Sequence, residues 1–181
     1  MVNISELIGE LREHLTECDF SNHASIVIGQ GRPTTVISTN GKTSPKLICA
    51  VASIPSDITD ARQAGKFMQT LRRGLTGHFR GFPRPKRLGT CTVLLGGRKL
   101  CKALEPHKSQ LIDQRGLHVN VMLGTVLVDT ETFSTRSDIT WGLMDVATPF
   151  SKIQSTVDNW CARYRQPSRM VPTGGRALKI A

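Results

Sequence analysis

The stretch that most constrains this chain is HVNVMLGTVLVD, residues 118 to 129. Its apolar run from Val119 to Val128 places hydrophobic side chains at odd and even positions alike. As a strand it would leave neither face in water, which is the pattern of a buried central strand. The run is about half the roughly 20 residues a membrane helix needs, and Asn120 and Gly124 interrupt it. A sheet covered by other elements is therefore required, and the rest of the chain has to supply both neighbours and cover.

The neighbours are legible on either side. Ala24 to Ile28 and Thr34 to Thr39 read as short strands joined by GQGRP, and Lys46 to Ser53 follows the turn-like NGKTSP. Leu88 to Leu95 reads as a further strand. After DTET, FSTRSDITW alternates with period two, with Phe133, Thr135, Ser137, Ile139 and Trp141 on one side, which predicts a hairpin with the apolar run.

Four helical patterns supply the cover. Ile4, Leu7, Ile8, Leu11, Leu15 and Cys18 form one stripe at helical spacing, with Glu6, Glu10, Glu13 and Glu17 outside it. Asn3 and Glu6 have the spacing of a capping box, and Val2 and Leu7 that of a hydrophobic staple. Ile58, Ala61, Ala64, Met68, Leu71 and Leu75 predict a helix from about Asp57 to about Leu75 or slightly beyond, with Phe79 continuing the stripe. A third runs from about Arg98 to Asp113. The fourth starts with Thr148 as cap and Pro149 at the first helical position, and buries Phe150, Ile153, Val157, Trp160, Cys161 and Tyr164. The expected fold is α+β, in the order α-β-β-β-α-β-α-β-β-α, with a mixed or antiparallel sheet of about six strands and about four helices over one or both faces.

Length fits a single domain over residues 1–165. QPSRMVPTGGRALKIA, residues 166–181, with two prolines and a glycine pair, reads as a flexible basic tail. Five cysteines far apart, with no CxxC pair and no signal-like N-terminus, predict reduced thiols and a soluble cytoplasmic protein.

Charge is the main anomaly. The net is +10, and its distribution matters more than its size. Ala61 to Leu104 holds eleven Lys or Arg and no acid, and Asn159 to Ala181 holds five more, again without an acid. The remainder carries eight bases against 14 acids. Charge segregated this way builds a positive face that draws in anionic partners.

The densest part is LRRGLTGHFRGFPRPKR, residues 71 to 87. Arg72, Arg73, Arg80, Arg84, Lys86 and Arg87 would meet phosphates; Phe82, between Gly81 and Pro83, would offer a ring for stacking. Pro83 and Pro85 make RGFPRPKR a loop. A second anion site is expected at GGRK, residues 96 to 99, between a strand and a helix, where backbone N–H groups, Arg98 and Lys99 converge. A tight strand-to-helix connection explains those glycines equally well, and no phosphate-binding fingerprint matches.

Other chemistries find less support. The opening order α-β-β-β-α-β resembles that of the PD-(D/E)xK nucleases. That family needs an Asp and then Glu-x-Lys on the second and third strands, and TTVIST and KLICAVAS carry no carboxylate. A helix-turn-helix drawn through Ala61, Gly65 and Leu71 puts Asp60 and Lys66 where apolar residues belong. His78, Cys91, Cys101 and His107 lack the close pairing of a zinc site. No nucleophile elbow appears, and Arg136 and Asp138 read as a solvated ion pair on the hairpin. A pocket joining Gly96 and Gly97 to His118 or Asp138 is the remaining place for catalysis.

The expectation is therefore a non-enzymatic binder of a polyanion, most of all nucleic acid, with little sequence specificity and no metal or cofactor. The alternative is a protein-interaction subunit of a larger cytoplasmic assembly, as adaptor or scaffold, docking its basic surface on an acidic partner or on the acidic first helix of another copy.

Overall fold

The computed structural model describes residues 3–28, 32–39, 46–79, 88–104, 120–139 and 147–165. The elements follow the expected order: α1 (Ile4–Thr16), β1 (Phe20–Ile28), β2 (Arg32–Thr39), β3 (Lys46–Ser53), α2 (Ala61–Phe79), β4 (Leu88–Gly96), α3 (Arg98–Leu104), β5 (Asn120–Asp129), β6 (Thr135–Ile139) and α4 (Ala147–Arg165). The strands form one mixed sheet in the order β1-β2-β3-β4-β5-β6. β3, β4 and β5 run parallel at its centre; β2 and β1 extend it antiparallel on one side and β6 on the other.

Alternation along the central strands divides the core in two. Cys91, Val93 and Leu95 of β4 pack with Leu7, Leu11 and Leu15 of α1 and with Ile153, Val157 and Trp160 of α4. Leu88 and Leu94 of the same strand pack instead with Met68, Leu71 and Leu75 of α2 and Leu100 of α3. Helices α1 and α4 thus cover one face and α2 and α3 the other. Every residue of β4 is buried, and so is β5 from Met122 to Asp129, as an apolar strand without a solvated side demands.

Several boundaries differ from the sequence pattern for identifiable reasons. β1 begins at Phe20, because edge pairing with β2 carries the polar residues Ser21, Asn22 and His23 into the strand. α2 begins at Ala61, not Asp57. Asp60 caps it by accepting the Gln63 N–H at 2.8 Å, while Ile58 N–H closes a turn on Pro55 O at 3.2 Å. Phe133 adopts φ 52° and precedes β6 instead of joining it. Asn3 caps α1 as expected, but Glu6 does not reach back; its carboxylate accepts from Arg163 and from the Tyr164 hydroxyl on α4. The α3 pattern beyond Leu104, Val2 of the staple, Trp141 and the tail 166–181 lie outside the described residues.

Candidate functional site

On α2 the buried stripe of Ala64, Met68, Leu71 and Leu75 fixes what faces outward. At about 100° per residue, Arg62, Lys66 and Arg73 fall within about 40° of one another on the opposite side of the helix. All three are exposed. The rise of about 1.5 Å per residue sets Lys66 about 6 Å from Arg62 along the axis, and Arg73 about 10 Å further on. Arg72 lies half-buried on a flank of the helix. Next to α2, the short α3 carries Arg98, Lys99 and Lys102, each exposed. Of the residues expected at an anion site, Arg72, Arg73, Arg98 and Lys99 therefore stand on two helices over the same face. Arg80, Phe82, Arg84, Lys86 and Arg87 lie outside the described residues. Arg62, Lys66 and Lys102 belong to the acid-free run from Ala61 to Leu104 without being singled out as contacts there; the i, i+4, i+11 spacing of Arg62, Lys66 and Arg73 is the sequence signal for two of them.

At GGRK the chain meets an anion of its own. Glu131 Oε1 accepts the Arg98 N–H at 3.2 Å and lies against Gly97, where a β-carbon would come within 2.9 Å of it. Glu131 is held there by the turn after β5. Asp129 accepts the N–H groups of Glu131 at 2.9 Å and Thr132 at 3.2 Å, and the Thr132 hydroxyl at 2.6 Å. Burial works to raise the Asp129 carboxyl, but the Thr132 hydroxyl, the two N–H groups and the Arg98 charge hold it below the usual carboxylate range.

The remaining candidates separate in space. Cys91 lies in the core under α1 and α4, whereas His78 is exposed on α2, on the other side of the sheet. Cys101 Sγ donates to Gly96 O and Val128 O, and His107 is outside the described residues. Among the described residues no group of three or more His, Cys, Asp and Glu is placed to hold a metal ion. Burial pushes the Cys91 thiol up to about 12 and that of Cys101 to about 11, so neither is a thiolate near neutrality. Asp138 pairs with Thr125, whereas Gly96 pairs with Asp129, about 13 Å further along β5. His118 is outside the described residues. β2 and β3, where a PD-(D/E)xK nuclease carries its metal-holding acids, pair from Thr34↔Ala52 to Ser38↔Ile48 with no carboxylate on either. Helix α2 runs unbroken through Gly65, so the helix-turn-helix spacing there belongs to a single helix.

Two of the hollows in the described surface lie on opposite faces of the sheet. One, of about 290 Å³, opens between α2 and the ends of β1, β2 and β3. Its lining is apolar at Ile28, Pro33, Phe67 and Leu71 and polar at Asp57, Gln63, Lys66 and Thr70. The other, of about 450 Å³, lies on the opposite face between α1 and β1, with Arg12, Glu13, Asn22 and His23 around it.

The arrangement defines an α+β protein whose mixed sheet carries helices on both sides. No protein-family model matches the chain, and no curated protein matches it either. No helix among the described residues is long and apolar enough to cross a membrane.

Proposed function

We propose that this protein binds nucleic acid as a polyanion, without catalysing a reaction and with little preference for sequence. One observation carries the reading: α2 and α3 lie over the same face of the sheet and together hold seven Lys and Arg and no Asp or Glu. Phosphate contacts from such residues fix position without reading bases, so affinity should be high at low salt and indifferent to sequence. The contact set comprises Arg62, Lys66, Arg72, Arg73, Arg98 and Lys99. It is extended by Arg80, Arg84, Lys86 and Arg87, with Phe82 as a ring for stacking, in the segment that follows α2.

Docking on the acidic first helix of another copy is less well supported. Glu6 and Glu10 already pair with Arg163, and Glu17 with Lys152, inside one chain.

The test is fluorescence anisotropy with labelled single- and double-stranded oligonucleotides across a salt series. It compares wild type with an Arg62/Arg73→Ala variant and an Arg80/Arg84/Lys86/Arg87→Ala variant. The expected result is binding whose logarithm falls linearly with the logarithm of salt. The slope should shrink by about 0.7 to 0.9 for each phosphate contact removed. Absence of binding to any oligonucleotide at low salt would overturn the proposal and turn the search to an acidic protein partner.

A further inference from the structure

We infer that the hollow between α2 and the ends of β1 to β3 is a pocket for one base of a single strand, which makes single-stranded nucleic acid the preferred ligand. This rests on the binding face proposed above and adds what that face would read. Charge alone would favour the duplex, whose phosphates are denser; a pocket beside the charge would turn the preference toward the single strand.

The pocket and the outward cations share a residue. Lys66 belongs both to the row with Arg62 and Arg73 and to the lining of the hollow. A strand whose phosphates follow that row would bring its sugars and bases past the mouth. At about 290 Å³ the hollow lies at the lower end of small-molecule pockets, which span roughly 300 to 1,000 Å³. That suits a single heterocycle whose phosphate remains outside, against Lys66.

The lining matches a base on both its flat and its polar sides. The Phe67 ring is half-buried, with Ile28, Pro33 and Leu71 in the same lining, and an aromatic ring at a basic groove is the usual platform for a base. In the polar part of the lining, Gln63 has its carbonyl oxygen engaged by the Thr59 N–H and hydroxyl, which leaves its amide N–H groups as donors. Thr70 donates its hydroxyl hydrogen to Lys66 O, so it offers lone pairs. Asp57 brings two carboxylate oxygens to the same lining as acceptors. Acceptors from Asp57 and Thr70 beside a Gln63 donor favour a base bearing an exocyclic amino group over uracil or thymine. Inside a duplex those edges are already paired, and the base would have to leave the stack at a cost. The second hollow lacks this combination: Arg12 and Glu13 of opposite charge border it, and it lies on the face away from the α2 cations.

The experiment compares wild-type protein on three labelled ligands of equal length: a mixed-sequence single strand, its duplex, and an abasic single strand with the same phosphates and no bases. The expected result is about tenfold tighter binding of the base-bearing single strand than of the abasic strand, with parallel salt slopes. In a Phe82→Leu background, which removes the other ring proposed for stacking, Phe67→Leu keeps an apolar side chain without a ring and should abolish that gap while leaving the abasic affinity unchanged. A melting curve checks that the variant is folded; if it is not, the base-bearing and abasic strands are compared on Phe82→Leu, whose remaining preference is the pocket's. Equal affinity for those two strands would overturn the pocket while leaving the phosphate-binding face intact. Failure of all three ligands to bind at low salt would overturn the face, and the pocket with it.

Discussion

Gly124 shows how one missing side chain sets a packing geometry. A β-carbon built there would collide with the Phe150 ring, so α4 can lie this close to β5 only because the position is glycine. The register shift beside it, where Thr90 pairs with Met122 and Cys91 already pairs with Gly124, turns the glycine toward Phe150. Gly124→Ala is expected to destabilise by about 1 to 3 kcal/mol through overpacking, read as a lower urea midpoint. Adding Phe150→Leu should recover part of that loss, so that the double variant costs less than the two single changes together. A strictly additive pair would mean that the ring does not set the limit. Gly74 acts alike on the opposite face, where a β-carbon would come within 2.8 Å of the Ile28 side chain. Both close approaches depend on an absence of atoms, and neither has a signature in the local apolar pattern.

The turn between β5 and β6 ties a strand end to a helix start. Thr130 bonds Gly96 O through its N–H at 2.9 Å and its hydroxyl at 3.1 Å, while Glu131 takes the first amide of α3. Asp129 organises the turn, and it is only 5% exposed. Its folded carboxyl is depressed below the ordinary value of 3.8, so protonation favours the unfolded chain. The stability it supplies is complete above that value and is lost as pH falls through it toward the lower folded one. Asp129→Asn should therefore be less stable than wild type at neutral pH, by a margin that shrinks as the medium approaches pH 3. Denaturant titrations at a series of pH values measure it, and a margin constant with pH would show that the charge is not what matters. Sequence carried the elements well where burial dictates pattern: the stripes of α1 and α4 and the two-faced β5 were all readable. It carried the edges poorly. Ser21, Asn22 and His23 look like loop because one side of an edge strand is solvated, and their place comes from backbone pairing with β2. The link between Glu131 and Arg98 spans 33 positions and was equally hidden, as was the hollow beside α2, which exists only once three strand ends meet a helix.

At the scale of the sheet, the charges of the described helices sort by the face they cover. On one side the acids of α1 meet the bases of α4: Glu6 and Glu10 with Arg163, Glu17 with Lys152. On the other, α2 and α3 present bases without acids of their own. A linear tally of net charge cannot separate these roles, but position can. Arg163→Glu and Arg73→Glu alter net charge by the same amount, so any difference between them reports where the charge sits. Arg163→Glu sets like charges together beside Glu6 and Glu10 and should lower stability by about 1 kcal/mol, the upper range for exposed pairs. It should leave oligonucleotide affinity near wild type. Arg73→Glu, exposed on α2, should change stability by less than about 0.5 kcal/mol and weaken binding at least tenfold. Paired urea melts and anisotropy titrations at one salt concentration separate the two effects. Equal loss of binding in both variants would mean that the ligand responds to the total charge of the molecule, and that neither face of the sheet is its contact surface.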